Sequence, residues 1–305
     1  MSAERYDVAV IGAGIHGAGV AQAAAARGLA VLVLEQADIA SGTSCRSSKL
    51  IHGGLRYLET GQFTLVRECL RERALLLRLA PDLIRLQPFH LPVYADTRRR
   101  PAQLRLGLAL YAALGGLKAA NRFRSLPRRE WSTLDGLETK GLQQVFRYWD
   151  AQTDDRQLTR AVMASAQALG ARLVLPATFT GAGLSDRGCA ITYTHAGGEH
   201  SCEARVLINA AGPWVNTVLE KIRPHMEPRA IELVQGAHLL IDGALNRGIY
   251  YMEAPRDGRA VFAMPWQGKL LLGTTETPYA GDPAAVTPRQ QEQDYLLETL
   301  AHYFP

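Results

Sequence analysis

The densest chemistry in this 305-residue chain lies in one loop, Ser44-Cys45-Arg46-Ser47-Ser48-Lys49-Leu50-Ile51-His52-Gly53-Gly54-Leu55-Arg56-Tyr57. Ser47 and Ser48 carry donors for a pyrophosphate or a hydroxylated chain. Gly53 and Gly54 let backbone lie against a planar ring, and the Arg56 guanidinium matches the oxygens of an anion. A solvated surface loop would hold similar residues, so a second signal is needed. It is Gly12-Ala13-Gly14-Ile15-His16-Gly17, a GxGxxG pattern. Gly12 permits a tight turn, Gly14 lets a pyrophosphate approach the backbone, and Gly17 lets the next helix pack closely on its strand. The helix N-terminus adds amide donors and partial positive charge. Glu35, 18 residues beyond Gly17, has acceptors for adenosine ribose hydroxyls.

Elements must hold these residues in place. Tyr6–Ile11 reads as a short strand, Ile15–Ala26 as an alanine-rich helix ending at Arg27-Gly28, and Leu29–Leu34 as a second buried strand closed by Glu35. Phe63–Ala80 is a long amphipathic helix stopped by Pro81, and His90–Ala95 a strand. Asp154 or Asp155 caps a helix running to about Leu169. Short alternating stretches, Arg172–Leu175 and Ala190–Thr194, precede the apolar strand Arg205–Asn209, and Pro213–Ile222 reads as a further helix. Four strand-like runs between Ile231 and Thr275 indicate an antiparallel sheet. Thr287-Pro288-Arg289-Gln290 is a capping-box start for a helix ending near Phe304. The third buried parallel strand, Val206–Asn209, comes about 170 residues after Glu35 and leads into Ala210-Ala211-Gly212-Pro213-Trp214. An NAD domain continues through βα repeats without such a break, so the interruption favours FAD. The expected architecture is α/β: a split FAD-binding Rossmann-type domain over residues 1–88 and 148–228, with an antiparallel-sheet substrate or cap domain over 89–147 and 229–305.

SSKLIHGGLRYLE (47–59), with DVAVIGAGIHGAG (7–19), NAAGPWV (209–215) and GTTE followed by PYAGDP, resembles the FAD-dependent glycerol-3-phosphate dehydrogenases, from Tyr6 to the last residue. The resemblance implies a D-amino-acid-oxidase-like fold and oxidation of sn-glycerol 3-phosphate to dihydroxyacetone phosphate. Electrons would leave through FAD to membrane quinone, or to oxygen in the oxidase branch. It implies cofactor contacts at Gly12, Gly14, Ile15, His16, Gly17, Glu35 and Gln36, and in the loop at Thr43, Ser44, Ser47, Ser48, Lys49, Leu50, His52, Gly53 and Gly54. The late turn adds Ala211, Gly212 and Trp214. His52, Arg56, Tyr57, His238 and Thr275 are implied at the reaction centre, with Arg56 as a substrate contact. His52 or His238 is the candidate base for the hydroxyl proton, since a neutral imidazole is poised near working pH. A histidine that only hydrogen-bonds flavin or a carbonyl, and a Tyr57 that only packs, fit the same positions. Glu276 stands where the family motif usually ends in Asp. The family continues past a helix like the final one here, so the chain is expected to be a fragment. Two alternatives stay open: another FAD-dependent amine or 2-hydroxy-acid oxidase, and a non-catalytic FAD-binding module.

The composition, 47% apolar and 21% charged, excludes disorder and a coiled coil. Four scattered cysteines without a CxxC pair indicate reduced thiols and no zinc site. The start carries no signal-peptide pattern, and the apolar run Leu106–Leu117 is shorter than the ~20 residues of a membrane span. Net charge is +5, but Asp96–Arg129 alone holds nine cations and one acid, so it carries +8 and the remainder −3. Between its cations Leu106, Leu110, Leu114 and Leu117 fall at near-helical spacing. Such a block fits an element lying on an anionic membrane surface, or a core helix with solvated arginines at its ends. Nucleic acid fits poorly, because stacking aromatics are sparse. The resulting expectation is a cytoplasmic protein peripherally attached to the inner membrane, with a homodimer left open.

Overall fold

Val31–Leu34 is apolar and buried at all positions, as a parallel strand covered on both faces must be. The computed structural model describes residues 4–305. Among these are seven α-helices: α1 Ile15–Ala25, α2 Phe63–Leu79, α3 Pro101–Leu114, α4 Arg128–Trp131, α5 Asp155–Ala168, α6 Val215–Leu219 and α7 Gln290–Tyr303. The chain divides into two compact units, Met1–Ser47 with Asp154–Leu233, and Ser48–Thr153 with Val234–Pro305.

The first unit holds a seven-stranded sheet in the order Ile222–Arg223, Ala177–Ser185, Gly188–His195, Gly198–Asn209, Glu4–Ile11, Val31–Leu34, Arg172–Val174. The last four run parallel, and the second, third and fourth form an antiparallel meander. Ala18, Ala21 and Ala25 of α1 pack with Met163 and Ala166 of α5 over Val8, Val10, Val31 and Val33. Alanine on that face lets the helices come close to each other and to the sheet. Arg172–Val174 is thus a parallel strand, where its alternation suggested only a short stretch. It precedes Val206–Asn209 in the chain, so the expected third parallel strand is the fourth. Nor is that run fully buried, since Val206 is 50% exposed. The helix expected over Pro213–Ile222 is a 3₁₀ turn, Gly212–Trp214, followed by the short α6.

The second unit holds an eight-stranded sheet. Its main path is His238–Ile241, Lys269–Gly273, Ala260–Trp266, Ile249–Glu253, Ile84–Tyr94, Leu142–Thr153 and Leu50–Ile51, with Arg124–Leu126 pairing on Leu142–Thr153. Val66 and Leu70 of α2 and Leu108 and Tyr111 of α3 are buried with Phe89 and Phe146 of the sheet. Leu296 and Tyr303 of α7 join a second core with Trp131, Val145 and Met252. The expected boundary at residue 88 therefore moves to Ser47/Ser48: α2 belongs to this core, and Leu50–Ile51 pairs with Ala151 and Gln152. Two further expectations shift. Helix α7 begins at Gln290 instead of Pro288, with Glu292 accepting from the Arg289 amide at 3.0 Å. Helix α3 stops at Leu114, leaving Leu117 beyond it at φ +55°. On α3 Leu108, Tyr111 and Ala112 are buried, Leu110 and Leu114 are half-buried, and Leu106 is 72% exposed. No helix among the described residues is long and apolar enough to cross a membrane.

Candidate functional site

In the first unit two turns almost 200 residues apart in sequence meet. Gly198–Asn209 runs parallel to Glu4–Ile11 in the register Ile11↔Asn209, so the chain leaves both strands side by side. The Ala210 amide donates to the Ile11 carbonyl at 2.9 Å. A Cβ on Gly12, whose φ is +104°, would stand 2.7 Å from the Ala210 carbonyl oxygen. One on Gly17 would stand 1.9 Å from the Gly12 carbonyl oxygen, so only glycine lets α1 start here. Helix α1 has no acidic residue of its own in its first turn to offset its partial positive charge. Glu35, 8% exposed, accepts from the Ala13 amide at 2.8 Å and the Ala37 amide at 2.9 Å, one on each carboxylate oxygen. The Ser44 hydroxyl oxygen accepts from the Ile15 amide at 2.9 Å, which keeps its proton for a further acceptor.

In the second unit a cavity of about 370 Å³ opens beside the Gly54–Tyr57 turn. Ser48, His52, Arg56, Tyr57, Thr275 and Glu276 are among its polar lining, and Phe89, Tyr148, Tyr251 and Phe262 supply aromatic walls. Burial pushes the Tyr148 and Tyr251 phenols up, so both remain proton donors. Four ionisable Asp, Glu and Arg side chains line the cavity. Asp150 is paired with Arg73, and Arg259 with Glu276. Among the described residues Arg56 is in no ion pair, although its charge acts on the Glu59 carboxylate three residues on, so its guanidinium is the one at the cavity left to bind an anion. The His52 ring has a fixed proton arrangement: its Nδ1 lies 3.0 Å from the Gly54 amide, which can only donate. A neutral His52 therefore carries its proton on Nε2. His238 lies across the strand pair from Gly273, where a Cβ would meet the imidazole at 2.3 Å. Its Nε2 is 2.9 Å from the Ser48 hydroxyl, and Ser48, not His238, reaches the cavity.

The model of the family of FAD-dependent oxidoreductases matches residues 7–305. The chain belongs to that family. Similar proteins include D-erythritol 1-phosphate dehydrogenase of Brucella abortus, 38% identical over 308 residues, covering 99% of this chain and 60% of that protein. Glycerol-3-phosphate dehydrogenase of Pseudomonas tolaasii is 40% identical over 305 residues, covering 99% and 58%. Among solved structures, the glycerol-3-phosphate dehydrogenase from Bacillus halodurans complexed with FAD is similar with TM-score 0.79 and 28% identity, covering 100% of this chain and 54% of that one. The chain thus spans little more than half the length of these relatives, and its fold is the D-amino-acid-oxidase-like α/β fold expected from the sequence.

The residues of this chain fit FAD, the cofactor of its family. The open N-terminus of α1 suits a pyrophosphate, and a Cβ at Gly14 would crowd it against Ser44 Oγ at 3.1 Å. Both Glu35 oxygens keep a lone pair for a ribose hydroxyl. The Ala211-Gly212 turn, with Gly212 at φ +55°, lies beside Gly12 through Ala210, and Trp214 covers Gly42. Ile15, His16, Gln36 and Thr43 are exposed near the glycine turn or in the loop. Lys49 is buried, with its ammonium 5.7 Å from the Trp266 ring centre, and Leu50 is half-buried in its strand.

Three expectations need correction. The Ser47 hydroxyl gives its proton to Asp155 at 2.7 Å, so it can meet a cofactor only as an acceptor and not as the pyrophosphate donor expected. Thr275 lines the cavity, but its hydroxyl accepts from the Ala237 amide at 2.8 Å and donates to Glu292 at 2.7 Å. Its role is to join strands. Burial alone would raise the Glu292 carboxyl, but the Arg289 amide, Thr275, Thr277 and Gln235 together hold it below the ordinary range. Third, His52 as hydrogen-bonded here is a proton donor at Nε2, not a base. Sequence reasoning also missed Arg73, Asp150 and Arg259. The first had a visible signal: Val66, Leu70 and Arg73 share the buried stripe of α2, and an arginine in such a stripe needs a buried partner.

Proposed function

We propose that the protein containing this chain oxidises sn-glycerol 3-phosphate to dihydroxyacetone phosphate. The observation carrying this reading is the guanidinium of Arg56, which is in no ion pair among the described residues, at a cavity otherwise lined by aromatic rings, hydroxyls and paired charges. Such a cavity favours a small polyhydroxylated monoanion or dianion over a zwitterionic amine. The similar proteins named for phosphorylated polyols point the same way.

FAD, when bound, supplies the acceptor for the C2 hydride at its N5. Arg56 holds the phosphate, and the aromatic walls exclude water from the carbon that reacts. The Nε2 proton of His52 steadies an oxygen of the substrate. Ser48 Oγ takes the hydroxyl proton as it passes its own to His238 Nε2, 2.9 Å away, in the tautomer that leaves that nitrogen unprotonated. Tyr57 packs its ring on Gly54, where a Cβ would stand 2.3 Å from it, and so sets the turn that carries Arg56.

The same reading sends the electrons to a membrane quinone and lays α3 on the anionic cytoplasmic face. Support comes from exposed Leu106 and Leu117 among Arg98, Arg105, Lys118 and Arg122. The test is turnover of the full-length, flavin-loaded protein on sn-glycerol 3-phosphate, D-erythritol 1-phosphate, glycerol and glycine. The phosphorylated triol should exceed glycerol in kcat/KM by about a thousandfold, and Arg56→Ala should remove most of that margin. Equal rates on glycerol, or preference for glycine, would overturn the reading.

A further inference from the structure

We propose that Tyr111 is a positioning residue for this reaction, fixing the His52–Gly54 turn against a buried Arg73–Asp150 pair. The inference rests on the functional reading above. Tyr111 sits on α3 and is 1% exposed. Its hydroxyl oxygen lies 2.7 Å from the Gly53 amide and 2.7 Å from Asp150 Oδ2. The amide can only donate, so the phenol proton goes to Asp150. The other oxygen of Asp150 accepts from Arg73, which also donates to the Trp149 carbonyl at 3.1 Å and to Asn121. Asn121 in turn donates to the Gly115 carbonyl, where α3 ends. The chain of bonds therefore starts at the catalytic turn and closes on the helix that supplies Tyr111.

The turn is seated tightly on this support. A Cβ at Gly53 would stand 2.5 Å from the Tyr111 hydroxyl and 2.6 Å from Leu70. The next amide, that of Gly54, is the one that fixes the proton arrangement of His52. Moving Gly53 would therefore release the His52 proton from Nε2 and shift Arg56 two residues beyond Gly54. Stability alone does not explain the arrangement. Phenylalanine would fill the core here, and a buried ion pair is commonly matched or exceeded by apolar side chains of similar volume. What the polar chain adds is one defined position for a backbone amide beside the cavity, whose lining includes Asp150 itself.

The test uses the full-length, flavin-loaded protein and compares Tyr111→Phe with Leu108→Ala, a core change on the same helix. Three quantities are read: kcat per bound flavin, KM for sn-glycerol 3-phosphate, and hydrogen exchange of the Gly53 amide. Tyr111→Phe should lower kcat at least about tenfold with KM within about threefold. It should also speed Gly53 exchange at least about tenfold. Leu108→Ala should lower the melting temperature while leaving kcat and Gly53 exchange within about twofold. If Tyr111→Phe does not fold, Asp150→Asn takes its place with the same expected direction. Unchanged Gly53 exchange and kcat in the variant that folds would overturn the proposal. A wild-type protein inert toward sn-glycerol 3-phosphate would instead overturn the functional reading, and Gly53 exchange would still decide the positioning role.

Discussion

His90 is 2% exposed and stacked on Tyr250, and the charges of Arg147, Arg124 and Arg247 act on it against that of Asp135. Burial, and after it Arg147, push its pKa down to about 4. The unfolded chain takes up this proton near pH 6.5, whereas the folded one does not until about pH 4. The penalty is therefore absent above pH 6.5 and grows as pH falls toward 4. Between pH 7 and pH 5 the wild type should lose about 2 kcal/mol more than His90→Phe, measured by urea unfolding at both values. An equal loss in both would show that His90 does not set the acid response. At this scale the sequence disclosed the residues that carry a motif, such as Gly12, Glu35 and Arg56. It could not disclose Asp150 or Tyr111, whose partners lie 77 and 58 residues away. Thr275 shows the converse: a motif position can be spent on a strand junction, because Glu292 comes from a helix no local pattern connects to it.

At the scale of elements, α1 offers a clean contrast between two glycines of one helix. Gly17→Ala places a Cβ 1.9 Å from a carbonyl oxygen that cannot yield. It should unfold the first unit or cost it at least about 3 kcal/mol. Gly19→Ala meets nothing within 4 Å and should raise stability by about 0.5–1 kcal/mol. Thermal unfolding of the two variants reads the difference, and a neutral Gly17→Ala would contradict the packing described. Elements with a strong local signal were legible: α1, α2 and α5 run where periodicity and caps put them, with Asp154 accepting from the Gln157 amide at 3.0 Å. Arg172–Val174 was not, because three residues of edge strand carry too little pattern. The true boundary at Ser47/Ser48 was hidden for a different reason. It divides one continuous motif, and only the pairing of Leu50–Ile51 with the distant 151–152 segment shows which side each half serves.

For the whole molecule, the +5 of the chain conceals one strongly basic segment on a nearly balanced body. Several of its cations are engaged within the fold, Arg99 with Glu59 and Glu253, and Arg124 with Glu130. The rest, with Leu106 and Leu117, should hold the full-length protein on anionic vesicles at low salt. Binding should weaken as salt rises, and Leu106→Glu should reduce it, each basic contact being worth about 1 kcal/mol. Retention equal on neutral and anionic vesicles would contradict the electrostatic part. The central claim, oxidation of a phosphorylated polyol by a flavin held in this fold, is tested most directly without turnover. The full-length, flavin-loaded protein is mixed with sn-glycerol 3-phosphate in the absence of oxygen while the visible flavin band is followed. The expected result is loss of that band with sn-glycerol 3-phosphate and none with glycerol or glycine. A band that persists with sn-glycerol 3-phosphate, or is lost with glycine instead, would contradict it.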